Sequence, residues 1–275
     1  MRATRPRARR QRESVPAGVA VLAVFAIAFF ALPFLGLVWK MPWSDIGRVL
    51  GKSEVRTALW LSIRTSIASA LLAGVFGVPL AWLLARTNFP GRNFVRALCT
   101  MSMVLPPVVG GVALFFSFGR RGLFGQYLDQ WFSFQLTFSV WGVIVAQTFV
   151  AMPFLVLTVE AAIRQADGRF EDAGRTLGAT RSYVFRRITL PAIRPALVAG
   201  FVLAWARALG EFGATITFAG NFPGTTQTIS IATYLALETD QRDALVLSIV
   251  MIATSFAVLL GLRDRWMGRT NGVGY

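Results

Sequence analysis

The chain of 275 residues contains no histidine and only one cysteine, Cys99. Without histidine there is no Ser-His-Asp or Cys-His triad, no HExxH zinc motif and no side chain of the usual pH-switch type. With one cysteine there is neither an intrachain disulfide nor a cysteine metal site, and we expect Cys99, which lies in an apolar run, to serve packing. These absences weigh against the chemistry that soluble enzymes use.

Charged residues are also scarce: they make up 15% of the chain, whereas hydrophobic residues make up 55%. A soluble domain of this length needs more polar surface. Apolar runs of about 20 residues, the length that crosses a hydrocarbon core, recur along the chain. Because these runs are apolar on all sides and do not alternate as barrel strands do, they predict helices and hence an all-α membrane protein.

Six membrane spans are predicted, and the basic residues orient them. With both termini inside, the inner segments hold nineteen of the 28 lysines and arginines and the outer loops seven, as the positive-inside rule expects. The net charge of +15 therefore indicates orientation and contact with anionic lipid, not nucleic-acid binding. The predicted spans are residues 16–39, 65–85, 97–118, 136–159, 195–220 and 244–262.

One membrane domain, residues 16–262, is predicted between a basic cytoplasmic N-terminus, residues 1–15, and a cytoplasmic tail, residues 263–275. The basic start MRATRPRARRQR is also typical of a signal peptide. However, the apolar run after it is longer than a signal-peptide core, and no small-residue cleavage site follows it. We therefore interpret the first span as an uncleaved anchor in the cell inner membrane of a multi-pass protein.

The informative segment is the predicted cytoplasmic loop of residues 164–194. Asp167 is expected to cap a first short helix that ends at Gly178, and Thr180 to cap a second that is limited by Pro191. The second helix combines apolar residues with arginines, among them Tyr183, Val184, Phe185, Arg186 and Ile188. A helix lying on the inner leaflet is the alternative.

The spacing in this loop resembles the EAA loop of ABC-importer permeases, in which EAA is followed at fixed distances by Gly, Ile and Leu-Pro. Aligned on Asp172, Ala173 and Gly174, the pattern places Gly178, Ile188, Leu190 and Pro191 in register. Asp and Gly replace the first and last letters of EAA. The resemblance implies that residues 164–194 form a coupling loop that docks on a separate ATPase subunit. The implied contacts are Glu171, Asp172, Ala173, Gly174, Gly178, Ala179, Thr180, Tyr183, Phe185 and Arg186.

The chain itself is not expected to bind nucleotide or any cofactor or metal. Residues 47–53, GRVLGKS, are one residue short of a phosphate-binding loop and are predicted to lie outside. ATP and Mg²⁺ are therefore expected on the ATPase partner, and the chain is expected to be a transporter subunit and not an enzyme.

Polar and helix-breaking residues interrupt two spans. Arg207 and Glu211 are four residues apart near the predicted midplane, where they can pair; a role in packing and a role along the solute pathway both fit. In the third span two prolines must interrupt the helix, while two glycines allow close approach of another helix. The pathway or gate candidates are Pro106, Pro107, Gly110, Gly111, Arg207, Glu211 and Gly213.

Residues 207–228, ending in PGTTQT, together with residues 101–111 resemble the molybdate, tungstate and sulfate permeases, most nearly the molybdate branch. The resemblance implies import of an oxyanion, with molybdate first and sulfate or tungstate as alternatives. It also implies a permease homodimer, two ATPase subunits, and a periplasmic or lipoprotein binding protein that delivers the anion. An ATP-independent channel or carrier would have no use for the coupling loop, and a membrane enzyme would need clustered catalytic groups.

Overall fold

The computed structural model describes residues 16–267, which are built from helices with no β-strand in that range. Residues 1–15 and 268–275, where the basic N-terminus and most of the tail are predicted, lie outside the described residues. A 3₁₀ turn (Trp43–Asp45) and a π-helical turn (Phe185–Thr189) accompany the α-helices. The α-helices are α1 (Ala17–Lys40), α2 (Ile46–Gly51), α3 (Ser53–Arg86), α4 (Arg92–Val104), α5 (Pro107–Phe118), α6 (Gly125–Phe132), α7 (Val140–Gln165), α8 (Arg169–Thr176), α9 (Arg181–Val184), α10 (Leu190–Ala192), α11 (Arg194–Leu209), α12 (Gly213–Ala219), α13 (Ile229–Thr239) and α14 (Gln241–Met267).

Three helices of the described range, α1, α3 and α7, are each long and apolar enough to cross a hydrocarbon core as one segment. They coincide with the first, second and fourth predicted spans. This confirms the expectation of a helical membrane protein, while the count of six spans and their orientation stay predictions. Helix α14 runs to Met267, beyond residue 262, where the last predicted span ends.

The chain divides into two compact units, residues 1–42 and 43–275. In the first unit, α1 follows Pro16, and none of its residues is buried. Its large apolar side chains, such as Leu22, Phe29 and Phe30, are mostly exposed, as expected of a helix that faces lipid or another protein chain. The prediction that residues 16–262 form a single membrane domain stays a prediction.

In the second unit, α3, α7 and α11 pack tightly because small residues line their contacts. A Cβ on Gly77 of α3 would lie 3.0 Å from Cγ2 of Val156, and one on Gly200 of α11 would lie 3.3 Å from Cα of Leu155. Alanines complete this core, including Ala73. Small residues at helix contacts let backbones approach in membranes, where van der Waals packing replaces the hydrophobic effect.

Two of the predicted spans are broken helices. The third predicted span is α4 followed by α5, because Leu105 and Pro106 are extended and Pro107 begins a new helix. This break was predicted from the two prolines. The fifth predicted span is α11 followed by α12, with residues 210–212 between them, and this second break was not predicted.

Candidate functional site

The coupling loop forms helices on both sides of a tight turn, as predicted. The second helix is not limited by Pro191, because α9 continues through the π-helical turn into α10, which contains Pro191. Gly178 has a positive φ of 84°. Its N–H bonds to the carbonyl of Arg175 and the N–H of Ala179 bonds to that of Gly174, the pair of bonds that ends a helix in a Schellman motif. The Thr180 hydroxyl accepts a hydrogen bond from the Tyr183 N–H at 3.3 Å and caps α9. The direction of the second helix is thus fixed by local interactions.

Asp167 lies just before α8, one residue earlier than the N-cap position that Gly168 occupies. Its carboxylate accepts hydrogen bonds from the side chain and the backbone N–H of Arg169. These bonds, the side-chain one foremost, lower the pKa of Asp167 below its usual value. The aspartate therefore stays charged at the start of α8, where the helix dipole favours an anion.

The two short helices are held close together at Gly174. A Cβ on this residue would lie 2.9 Å from Cδ1 of Ile188 and 3.3 Å from Cγ2 of Val184. An alanine methyl group at this position, where the EAA pattern has its second alanine, would require the end of the Ile188 side chain to move. The two helices are therefore closely packed at Gly174.

Glu171 lies inside the loop and not on its surface, since it is only 5% exposed. Its Oε1 accepts hydrogen bonds from Arg86 of α3 at 2.9 Å and from the Thr189 hydroxyl at 3.0 Å. Arg175 stands 3.9 Å from the other carboxylate oxygen. Glu171 therefore ties the loop to α3, and its carboxylate is not available to a docking partner.

The exposed surface of the loop differs in part from the set of apolar residues predicted for the second helix. Val184 is buried, and Phe185 packs edge-on against Trp82 of α3 with ring centroids 6.2 Å apart. Tyr183 is exposed, and Leu177, which was not among the predicted residues, is 88% exposed. An apolar residue next to the turn glycine was the signal that could have identified it.

The remaining predicted docking residues lie on or near this surface. Asp172, Ala173, Thr180 and Arg186 are exposed, while Ala179 is half-buried. Arg181 and Arg187 are also exposed, so cations surround the apolar side chains, as the sequence indicates. The loop therefore exposes apolar side chains, Leu177 and Tyr183, surrounded by arginines, and such a surface suits contact with a protein partner.

A buried ionic cluster beside the loop was not predicted from the sequence. Glu160 of α7 is buried and pairs with Arg96 of α4 at 2.6 Å and with Arg164 at 2.8 Å. The carbonyl of Leu84, near the end of α3, accepts hydrogen bonds from Arg92 at 2.9 Å and from Arg96 at 3.4 Å. The cluster joins α3, α4 and α7 at the end of the bundle that bears the coupling loop.

Arg207 and Glu211 pair, as predicted, with Nη1 and Oε2 2.5 Å apart. They do not share one continuous helix, because α11 ends at Leu209 and Glu211 lies in the break. Its Oε1 accepts a hydrogen bond from the Ala214 N–H at 2.9 Å, so it also caps the first turn of α12. Glu211 is 1% exposed whereas the Arg207 side chain is 27% exposed, which leaves part of the cation accessible.

The two broken helices meet at their breaks. A Cβ on Gly213 would lie 3.0 Å from Cβ of Pro107, and one on Gly111 would lie 2.8 Å from the carbonyl oxygen of Ala214. Gly110, on another side of α5, faces the ring of Phe149 of α7. Among the pathway candidates, the structure thus brings Pro107, Gly111 and Gly213 together; Pro106 forms the extended residue that precedes α5.

Known proteins resemble this chain in sequence. The family model described as "Binding-protein-dependent transport system inner membrane component" matches residues 77–269. Over 251 residues the chain is 41% identical to the "Molybdenum transport system permease protein ModB" of Mycobacterium tuberculosis (strain ATCC 25618 / H37Rv), covering 91% of this chain and 95% of that protein. Over 243 residues it is 35% identical to the "Sulfate transport system permease protein CysT" of Salmonella typhimurium (strain LT2), covering 87% of each.

A solved structure shares the fold. It is described as "Crystal structure of bacterial alginate ABC transporter in complex with alginate pentasaccharide-bound periplasmic protein". The superposition has a TM-score of 0.71 at 18% sequence identity and covers 91% of this chain and 94% of that chain. At this identity the likeness shows a common arrangement of helices.

Proposed function

The chain belongs to the family of binding-protein-dependent transport system inner membrane components, and from this premise we propose that it is the permease subunit of an ATP-driven molybdate importer. It is a membrane component of a transporter, and ATP hydrolysis takes place on a separate subunit. The observation that carries the proposal is the coupling loop: a capped two-helix unit, fixed to α3 through Glu171, that leaves Leu177 and Tyr183 exposed.

In the proposed mechanism, an ATPase subunit covers the exposed apolar side chains at Leu177. Acidic residues of the ATPase subunit face the arginines that surround Leu177. Movement of that subunit during ATP binding and hydrolysis passes through the loop to α3 and α11. Transmission requires a stiff connection, which the Schellman turn at Gly178, the close contact at Gly174 and the buried Glu171 provide. ATP and Mg²⁺ bind on the ATPase, and this chain holds neither.

The proposed assembly contains two copies of this chain, two ATPase subunits and a binding protein that delivers the anion from outside. Each permease has six spans in the inner membrane, with both termini and the coupling loop in the cytoplasm. The solute passes between the two permeases. A periplasmic protein accompanies the solved alginate transporter, which supports a partner of this kind.

Molybdate is proposed as the substrate because a permease named for molybdenum transport is the more similar of the two relatives. The partly exposed Arg207 supplies a cation where α11 is broken, and a dianion in a low-dielectric setting needs such a group. Sulfate, carried by the other relative, and tungstate are the alternatives, since both are tetrahedral dianions.

The proposal is tested by reconstituting the permease with its ATPase in liposomes and adding the binding protein encoded beside it. Uptake of labelled molybdate is measured against sulfate and tungstate, with ATP and with a non-hydrolysable analogue. We expect molybdate uptake that needs ATP hydrolysis and all three proteins.

Liposomes that contain the permease alone are the control. Uptake by these liposomes without ATP would refute the importer assignment in favour of a channel or carrier. ATP-dependent uptake of sulfate but not molybdate would refute only the substrate.

A further inference from the structure

Helix α6 lies at the end of the bundle opposite the coupling loop. It connects the end of α5, at Phe118, to the start of α7, at Val140, whereas the other end of α7, Gln165, leads into the loop. The C-terminal end of α12 reaches the same level, since a Cβ on Gly142 would lie 3.4 Å from Cβ of Ala219. Helix α6 is therefore near one boundary of the apolar bundle.

One face of α6 is aromatic and mostly exposed. Trp131 is 73% exposed and Phe132 71% exposed. Tyr127 packs against Trp131 with ring centroids 5.5 Å apart, and Phe124 stacks on Phe118 of α5 at 5.9 Å. Together with Leu128, these side chains line a shallow apolar groove. Aromatic side chains of this size are costly to leave in water.

The opposite face of α6 is polar and cationic. Asp129 accepts hydrogen bonds from Arg120 at 2.9 Å and from Gln135 at 3.1 Å. The bond from Arg120 is the main cause of a lowered pKa of Asp129, so this carboxylate stays ionised. Arg121 and Gln130 line an open cavity on the same side. Helix α6 is thus amphipathic, with arginines beside its polar face.

The aromatic face continues onto α5 through Phe118, which lines the same groove and stacks on Phe124. A surface that joins a membrane helix to a short amphipathic helix, with Trp and Tyr beside Arg, has the composition of the membrane–water interface. Tyr and Trp have apolar rings with one polar atom each, and arginine binds phosphate through its planar guanidinium. The link of the aromatic groove to α5 and the arginines beside α6 identify lipid as the occupant of the groove.

We propose that α6 is an interfacial anchor, with Tyr127, Trp131 and Phe132 among the acyl chains of the leaflet on the side opposite the coupling loop and Arg120 and Arg121 at the level of phospholipid phosphates. The anchor fixes the level at which α5 and α7 leave the membrane. It requires only a chain that spans the membrane and does not depend on which solute is carried.

Spin labels test this placement in the complete transporter reconstituted in phospholipid bilayers. In a Cys99→Ser background, a nitroxide is attached to Trp131→Cys, to Phe132→Cys, which keeps Trp131 in place, and to the matched neighbour Gln130→Cys. Adjacent residues are about 100° apart around a helix, so Gln130 should report the polar side. Collision rates with oxygen, enriched in lipid, and with a water-soluble nickel chelate are measured at each site.

We expect the oxygen-to-nickel collision ratio at residues 131 and 132 to be severalfold higher than at residue 130 and to correspond to a depth near the membrane–water interface. Ratios as low as at residue 130 would place the aromatic face in water and overturn the proposal. Low collision rates with both agents at residues 131 and 132 would mean that protein covers the face, from a second copy or the binding protein, and would overturn it equally.

Discussion

Removal of the Arg207 guanidinium should destabilise the permease more than removal of both charges of its ion pair. Glu211 is 1% exposed, so Arg207→Met leaves its carboxylate in the interior without a counter-charge. Breaking a buried pair in this way costs about 3–5 kcal/mol. Glu211→Gln should cost less, about 1–3 kcal/mol, because the partly exposed Arg207 can be hydrated and the glutamine oxygen can still accept from the Ala214 N–H.

The double variant Arg207→Met, Glu211→Gln carries no charge and keeps the cap on α12. We expect it to be within about 1 kcal/mol of the wild type, since neutral replacement of a buried pair is often nearly neutral. The two substitutions should therefore be non-additive, with an interaction energy of about 3 kcal/mol or more. Thermal unfolding of the detergent-purified permease and its abundance in membranes measure this.

Additive losses, within about 0.5 kcal/mol, would refute the pairing argument. Uptake is measured separately, because stability depends on the pair whereas anion flux depends on the cation. If Arg207 attracts the passing dianion, the double variant will be stable and abundant yet transport poorly. Normal uptake by this variant would reduce the pair to a role in packing.

Three further substitutions test the coupling loop and the helix contact. Gly178→Val should lower ATP-dependent uptake at normal abundance, because the left-handed backbone conformation costs about 1–2 kcal/mol for a residue with a side chain. The control Gly168→Val, also in open space but at a residue with negative φ, should not lower uptake, and equal effects of the two variants would refute the role of the turn. Leu177→Ala should leave the melting temperature unchanged but weaken ATPase binding by more than about 1 kcal/mol in a titration, and unchanged binding would exclude this residue from the interface. Gly111→Val should lower the free energy of unfolding by about 1–3 kcal/mol through overpacking against α12, and an unchanged thermal transition would contradict the close contact.

The fold and loop could be predicted where the cause is local in sequence. Two consecutive prolines, Pro106 and Pro107, favour a break in a helix, Gly178 permits a left-handed turn, and Thr180 caps the helix that follows it. The pairing of Arg207 with Glu211 followed from a spacing of four residues. Each of these features can be predicted from a few residues that are neighbours in the sequence.

What could not be predicted depends on contacts between distant segments. The break between α11 and α12 has no proline; it is stabilised by the Glu211 side chain, which turns to cap the next helix. The burial of Glu171 results from Arg86, 85 residues earlier in the chain. Similarly, Glu160 meets Arg96 only because α4 packs beside α7. A sequence pattern shows the charges but not which of them meet.

The contact between the two broken helices has a mechanical consequence. Because Gly213 lies against Pro107 and Gly111 against Ala214, α5 and α12 touch along their length from the points where both chains bend. The two helices form one packed pair, so we expect a displacement at either break to move α5 and α12 together.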